Sequence, residues 1–275
     1  AEKTEDWERV VLLTRKLIEV EGDEEEASDM TRQLSTILAE RLERGDEALK
    51  ALERLADLGD VACQDAYAEL GVKLKWTGIV ATKLVQWNES KVGTSRVDAL
   101  KRAFELFIEV ERDADARTVA MELARSKDCD IGMAQSLEAI AVRIRDLDAL
   151  GAAHDILAAD VGGVDRAEEL VRQAEVMVQA GSDALDAIHH GEVALSGINP
   201  GQAQTLIARL AALTDAPGHV IDLFERQVAR CKRPHERVSA LAQAALVAAE
   251  RGAIDRARDF FNQALSGGVQ EETLV

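Results

Sequence analysis

The sequence predicts an all-α chain, an α-solenoid of about seven helix hairpins stacked as one domain over residues 1–275. Three observations carry that expectation. Hydrophobic residues make up 47% of the chain and aromatic residues only 3%. Ala, Leu, Glu and Arg dominate over β-branched residues, a composition that favours helix over sheet. A pattern of one small or branched residue followed by an apolar pair one to two turns later recurs at a mean interval of about 35 residues, the range of stacked helical hairpins. Glycines and prolines fall between the periodic stretches, where hairpin turns belong.

Taken in order, the pattern appears at Val10/Leu17/Ile18, Ala48/Leu55/Ala56, Val80/Trp87, Ala116/Leu123/Ala124, Ala149/Ile156/Leu157, Ala187/Ala194/Leu195, Val220/Phe224/Val228 and Ala257/Ala264/Leu265. These stretches read as the second helices of hairpins. First helices with their own apolar stripes fall at 27–42, 61–74, 97–110, 131–144, 164–178, 203–213 and 238–249. Punctuation comes from Gly45, Gly59, Gly93, Gly162, Gly163, Gly181, Gly201, Gly218 and Gly252. Pro200, Pro217 and Pro234 sit at helix starts, where a missing N–H costs nothing. About fourteen helices result, and no linker is long enough to divide the chain.

The segment 238–265 resembles a tetratricopeptide (TPR) repeat. Ala245 stands at the small position of the first helix and Gly252 at the turn. Ala257, Phe261 and Ala264 stand at the small, aromatic and small positions of the second helix. The resemblance extends over nearly the whole chain, weakest between about residues 60 and 130, and departs from the family in lacking its usual Trp, Tyr and closing Pro. It implies a right-handed superhelix whose first helices line a groove for a protein or peptide partner. HEAT-type repeats, longer at about 40–47 residues, are the second choice. The segment around Asp6 and Trp7 reads as a second helix without its first, so a fragment of a longer array is expected.

Charge and motif content narrow the function. Lys and Arg number 33 against 51 Asp and Glu, a net charge of -18, which repels nucleic acid phosphates. No stretch approaches the roughly 18 uninterrupted apolar residues of a membrane span. Cys63, Cys129 and Cys231 lack metal or disulfide spacing and read as small buried hydrophobes. No secretion signal is visible, so a cytoplasmic location is expected. Gly162 and Gly163 lack phosphate-loop context, and no GxSxG elbow occurs. His189 and His190 point about 100° apart on a helix and cannot share a metal as an i,i+4 pair would. No acid–base constellation stands out among the carboxylates, so neither enzymatic activity nor a cofactor is expected.

One local anomaly stands out. Lys73, Lys75, Lys83, Lys91, Arg96, Lys101 and Arg102 share a stretch with only Glu89 and Asp98 as acids, and Trp76 and Trp87 lie in the same island. Aromatic and arginine side chains are enriched at interaction hot spots, so the island is a candidate partner site. The competing reading makes both tryptophans core and the cations a solvated face paired with acids of neighbouring repeats. Ser239, Ala242, Leu246 and Ala249 stand where a carboxylate clamp would need basic residues and asparagine, which disfavours that mode. Arg226, Arg230, Lys232, Arg233 and Arg237 surround a helix end, and Asp23 to Glu26 open a helix, both as the helix dipole favours. The last four residues, from Glu272, resemble a PDZ-binding tail. The expected function is a non-catalytic protein-interaction scaffold. A regulatory helical domain of a larger protein and a self-associating spacer are the alternatives. The composition is similar to that of GC-rich bacteria, and long arrays of this type resemble polarity and motility scaffolds, some of which engage small GTPases.

Overall fold

The computed structural model describes residues 2–195, 198 and 200–272. Among them are fifteen helices and no strand. They are α1 (Glu2–Val20), α2 (Glu24–Glu40), α3 (Gly45–Asp57), α4 (Val61–Lys73), α5 (Thr77–Asn88), α6 (Thr94–Glu109), α7 (Asp113–Ser126) and α8 (Ile131–Ile144). After these come α9 (Leu147–Ala159), α10 (Gly163–Gln179), α11 (Ala184–Ala194), α12 (Pro200–Ala211), α13 (Pro217–Arg230), α14 (Pro234–Glu250) and α15 (Ile254–Glu272). The helices pack sequentially in adjacent pairs, within two compact units, Ala1–Asp128 and Cys129–Val275.

Local chemistry sets the helix ends. Asp23, Asp60, Asp130, Asp146 and Asp183 precede α2, α4, α8, α9 and α11, and each carboxylate accepts a backbone N–H of the first turn. Pro200, Pro217 and Pro234 open α12, α13 and α14 as the sequence indicates. Turns depart from the sequence reading in an instructive way. Gly59, Gly93, Gly181 and Gly252 adopt left-handed backbone, but so do Glu43, Lys75, Glu111, Lys127 and Arg145. Glu43, Lys75, Glu111, Arg145 and Gly181 each follow a first helix at intervals of 32–36 residues, so the turn geometry repeats although glycine does not. Gly45 is no turn residue. It begins α3, and a Cβ there would meet Leu74 at 2.6 Å.

In the first unit each helix packs on the next, and α2 also lies beside α4. Leu38, Leu49 and Leu52 are fully buried in this unit, with Ala48 and Ala56 allowing close approach. The register is loosest around α4, which packs less on α5 than α5 does on α6. That is the region where the repeat signature fades. Two members of the apolar pattern fall one residue out of phase. On α1, Val11 is buried while Val10, Leu13, Leu17 and Val20 form an exposed stripe. On α15, Phe260 and Ala264 are buried and Phe261 is 54% exposed, so Phe260 takes the core position assigned to Phe261.

In the second unit α10 touches α8, α9, α11 and α12, and α14 touches α12, α13 and α15. The alternate helices α8, α10, α12 and α14 therefore lie side by side. Ion pairs join helices of successive hairpins at one repeat length. Arg172 grips Glu138 with two bonds of 2.8 and 2.9 Å, Arg209 grips Glu175 with two of 2.7 Å, and Arg226 reaches Glu192 at 2.8 Å, each pair 34 residues apart. Gly191 completes the fit of α11 on α12, since a Cβ would fall 2.5 Å from Leu210.

Candidate functional site

The basic island breaks into separate intramolecular sites. Lys83 on α5 pairs with Glu53 at 2.6 Å and Asp57 at 3.2 Å on α3. The Trp87 indole N–H donates to the same Asp57 at 2.7 Å, holding its carboxyl below the usual range, while the ring meets Tyr67 edge-on at 5.2 Å. Lys91 donates to Gln64, and Arg102 lies 3.9 Å from Asp65, both acceptors on α4. Arg96 turns toward α7, bonding Glu122 at 2.9 Å and the carbonyls of Asn88 and Glu89. Lys101 has a partner of its own within the chain. Lys73 and Lys75 are exposed beside half-buried Trp76 at the turn between α4 and α5. The island thus serves three different helix neighbours.

A polar network that the sequence reading did not assemble runs through α8 to α11. His154, 2% exposed, shares a 2.9 Å bond with Glu138, which also receives both Nη atoms of Arg172. Glu169 accepts from Arg172 and Gln173, and Gln173 meets His190 at 3.0 Å. The His154 and His190 rings lie 5.9 Å apart. Burial alone would raise the Glu138 pKa, but the His154 and Arg172 hydrogen bonds reverse this and hold it at about 2. Burial lowers His190, and His154 pushes the same way. Glutamate and arginine 34 residues apart, at the repeat period, are the sequence signal that would have found these contacts.

Ser239, Ala242, Leu246 and Ala249 are exposed along one side of α14. On neighbouring α12, Thr205, Ala208 and Ala212 are exposed in the same register, 34 residues earlier. The two helices touch, so these small and apolar residues form one shallow surface.

The basic cluster near residue 230 divides. Arg226 and Arg230 both turn to buried Glu192, while Lys232, Arg233 and Arg237 border a cleft of about 550 Å³ between the start of α14 and α15. Val238 and Leu241 form its apolar wall, and Asn262 stands on the α15 side. No carboxylate is among its described lining residues. Glu24, Glu25 and Glu26 follow the Asp23 cap in the first turn of α2, as the dipole reading requires. Cys63 and Cys231 are buried and Cys129 half-buried, all three as free thiols. No group of three or more potential metal ligands occurs among the described residues, and none of their helices is long and apolar enough to cross a membrane. Residues 273–275, which end the PDZ-like tail, lie outside the described residues.

No protein-family model matches this chain, and no curated protein matches it. Among solved structures, it is similar to a circular tandem repeat protein with novel repeat topology and enhanced subunit contact surfaces. That likeness has 17% identity and a TM-score of 0.22, covering 98% of this chain and 72% of the other. It is also similar to the DHF58 filament, at 18% identity and a TM-score of 0.15, covering 99% and 96%. The function proposed below takes nothing from either likeness.

Proposed function

We propose that this chain is a non-catalytic protein-interaction scaffold that receives a protein or peptide partner on the face shared by its first helices. The supporting observation is the surface of Thr205, Ala208, Ala212, Ser239, Ala242 and Leu246, presented in register by two touching helices. Six small or apolar residues exposed together give a partner area to bury without removing charge from water. Ion pairs at the repeat length hold neighbouring helix pairs in fixed register, so little ordering cost falls on binding. Affinity capture from a lysate of the source organism tests the reading, with wild-type bait beside an Ala208→Arg/Ala242→Arg bait of equal helicity. A partner held by wild type and lost by the variant is the expected result. Equal capture by both refutes this surface, and a Lys83→Glu/Lys91→Glu/Lys101→Glu bait then asks whether the basic island holds the partner.

Self-association is the second reading. The exposed stripe of Val10, Leu13, Leu17 and Val20 on α1 favours it. Light scattering over a concentration series tests it: a mass that rises with concentration supports association, and a constant monomer mass excludes it over the range measured.

A further inference from the structure

We infer that the cleft bordered by Lys232, Arg233 and Arg237 is a receptor for a phosphate monoester carried beside an apolar side chain on a partner protein. The inference rests on the scaffold reading but concerns a different surface. Its starting point is a sign that the helix dipole does not explain. Arg226 and Arg230 occupy the last turns of α13, where cations are favoured. Lys232, Arg233 and Arg237 lie beyond that end, and Arg233 and Arg237 flank the start of α14, where the dipole favours anions instead.

Intramolecular acids do not balance the charge. Glu192 is shared between Arg226 and Arg230, leaving one Nη of each buried without an acceptor. Glu236 lies 3.7 Å from Arg233 alone. Lys232 and Arg237 are exposed with no side-chain partner recorded among the described residues. Against a chain carrying a net charge of -18, this leaves a local cationic excess bordering a roomy cleft with no carboxylate among its described lining residues.

Two features select the ligand chemistry. A phosphate monoester brings a charge of about −1.5 to −2 and three acceptor oxygens, a better match to several cationic donors than a single carboxylate. Val238 and Leu241 supply an apolar wall beside the cations, which a free inorganic ion would leave unused. The combination fits a phosphorylated side chain with an apolar neighbour. Gly267 lets α15 approach this wall, since a Cβ there would stand 3.1 Å from Val238.

The test uses the full chain and a degenerate peptide library with fixed central phosphoserine, beside the same libraries carrying serine or glutamate. Binding is read by fluorescence anisotropy, and inorganic phosphate is titrated separately with amide resonances of Asn262 and Gln263 as the readout. The expected result is retention of the phosphoserine library at least ten-fold above the other two. Lys232→Glu/Arg237→Glu should abolish retention while helicity by circular dichroism stays unchanged. Equal retention of the glutamate library overturns the phosphate assignment. Shifts with inorganic phosphate but no preference for any peptide refute the protein-borne ligand while locating an anion site. No response to either probe refutes the cleft altogether, and leaves the α12–α14 surface to its own capture test.

Discussion

Replacing Glu138 with glutamine removes the negative charge on which His154 and Arg172 both converge. Glu138 keeps only 14% of its side chain exposed, so solvent does little to soften the loss. Its pKa falls from an ordinary 4.5 to about 2 in the folded chain. At about 1.4 kcal/mol per tenfold change in proton affinity, that difference is worth ~3 kcal/mol at neutral pH. Breaking a buried ion pair from one side costs a comparable ~3–5 kcal/mol. The sign follows from the depressed pKa. Below 4.5 the unfolded chain takes up the proton first, so the contribution fades as pH falls toward 2. At pH 3 about 1 kcal/mol should remain. Urea unfolding followed by circular dichroism at pH 7 and pH 3 measures both values. Trp7, Trp76 and Trp87 all lie in the first unit, so tryptophan fluorescence would miss this site. A cost below 1 kcal/mol at pH 7, or one that does not shrink at pH 3, would refute the description of Glu138 as an ionised hub.

Three further outcomes follow from the same structure. Arg145→Gly should stabilise the chain by about 1 kcal/mol, since the left-handed conformation costs a non-glycine residue about 1–2 kcal/mol; thermal melts should show no such gain for Arg145→Ala. His190 has a lowered pKa through burial and its neighbour His154, so the unfolded chain binds this proton more readily and stability should fall as pH drops through the ordinary histidine value of 6.5. Denaturation midpoints between pH 5 and 7.5 should show that slope for wild type and lose part of it in His190→Gln. Gly71→Ala places a Cβ 2.3 Å from Val80 Cγ2, and the stiff branched side chain cannot yield, so a loss of about 1–3 kcal/mol is expected in urea melts.

Helix content and most helix positions were legible in the sequence because apolar periodicity, aspartate caps and proline starts all act within a few residues. Pro217 and Pro234 each open a helix where expected. What escaped has physical causes. Left-handed turns at Glu43, Lys75, Glu111 and Arg145 carry no glycine, because a penalty of one or two kcal/mol is tolerable where flanking helices fix the chain. Phe260 and Phe261 are adjacent, and a step of about 100° decides which enters the core. Packing of α15 on α14 settles that choice, and a helical pattern alone does not. The island from Lys73 to Arg102 looked exceptional because its acids are distant in sequence: Glu53, Asp57, Asp65 and Glu122 lie outside it. The histidine network stayed hidden for the same reason, with His154 and Glu138 on different helices and Arg172 one repeat away.

The scaffold reading places the partner on the surface shared by α12 and α14. Photo-crosslinking reports that contact directly, with a benzophenone amino acid at position 208 or 242 and a control at Val92, which is 88% exposed on the other unit. Illumination in the source organism should give one protein adduct from both 208 and 242 and none from 92. The same adduct from all three positions, or none from 208 and 242, would contradict the account.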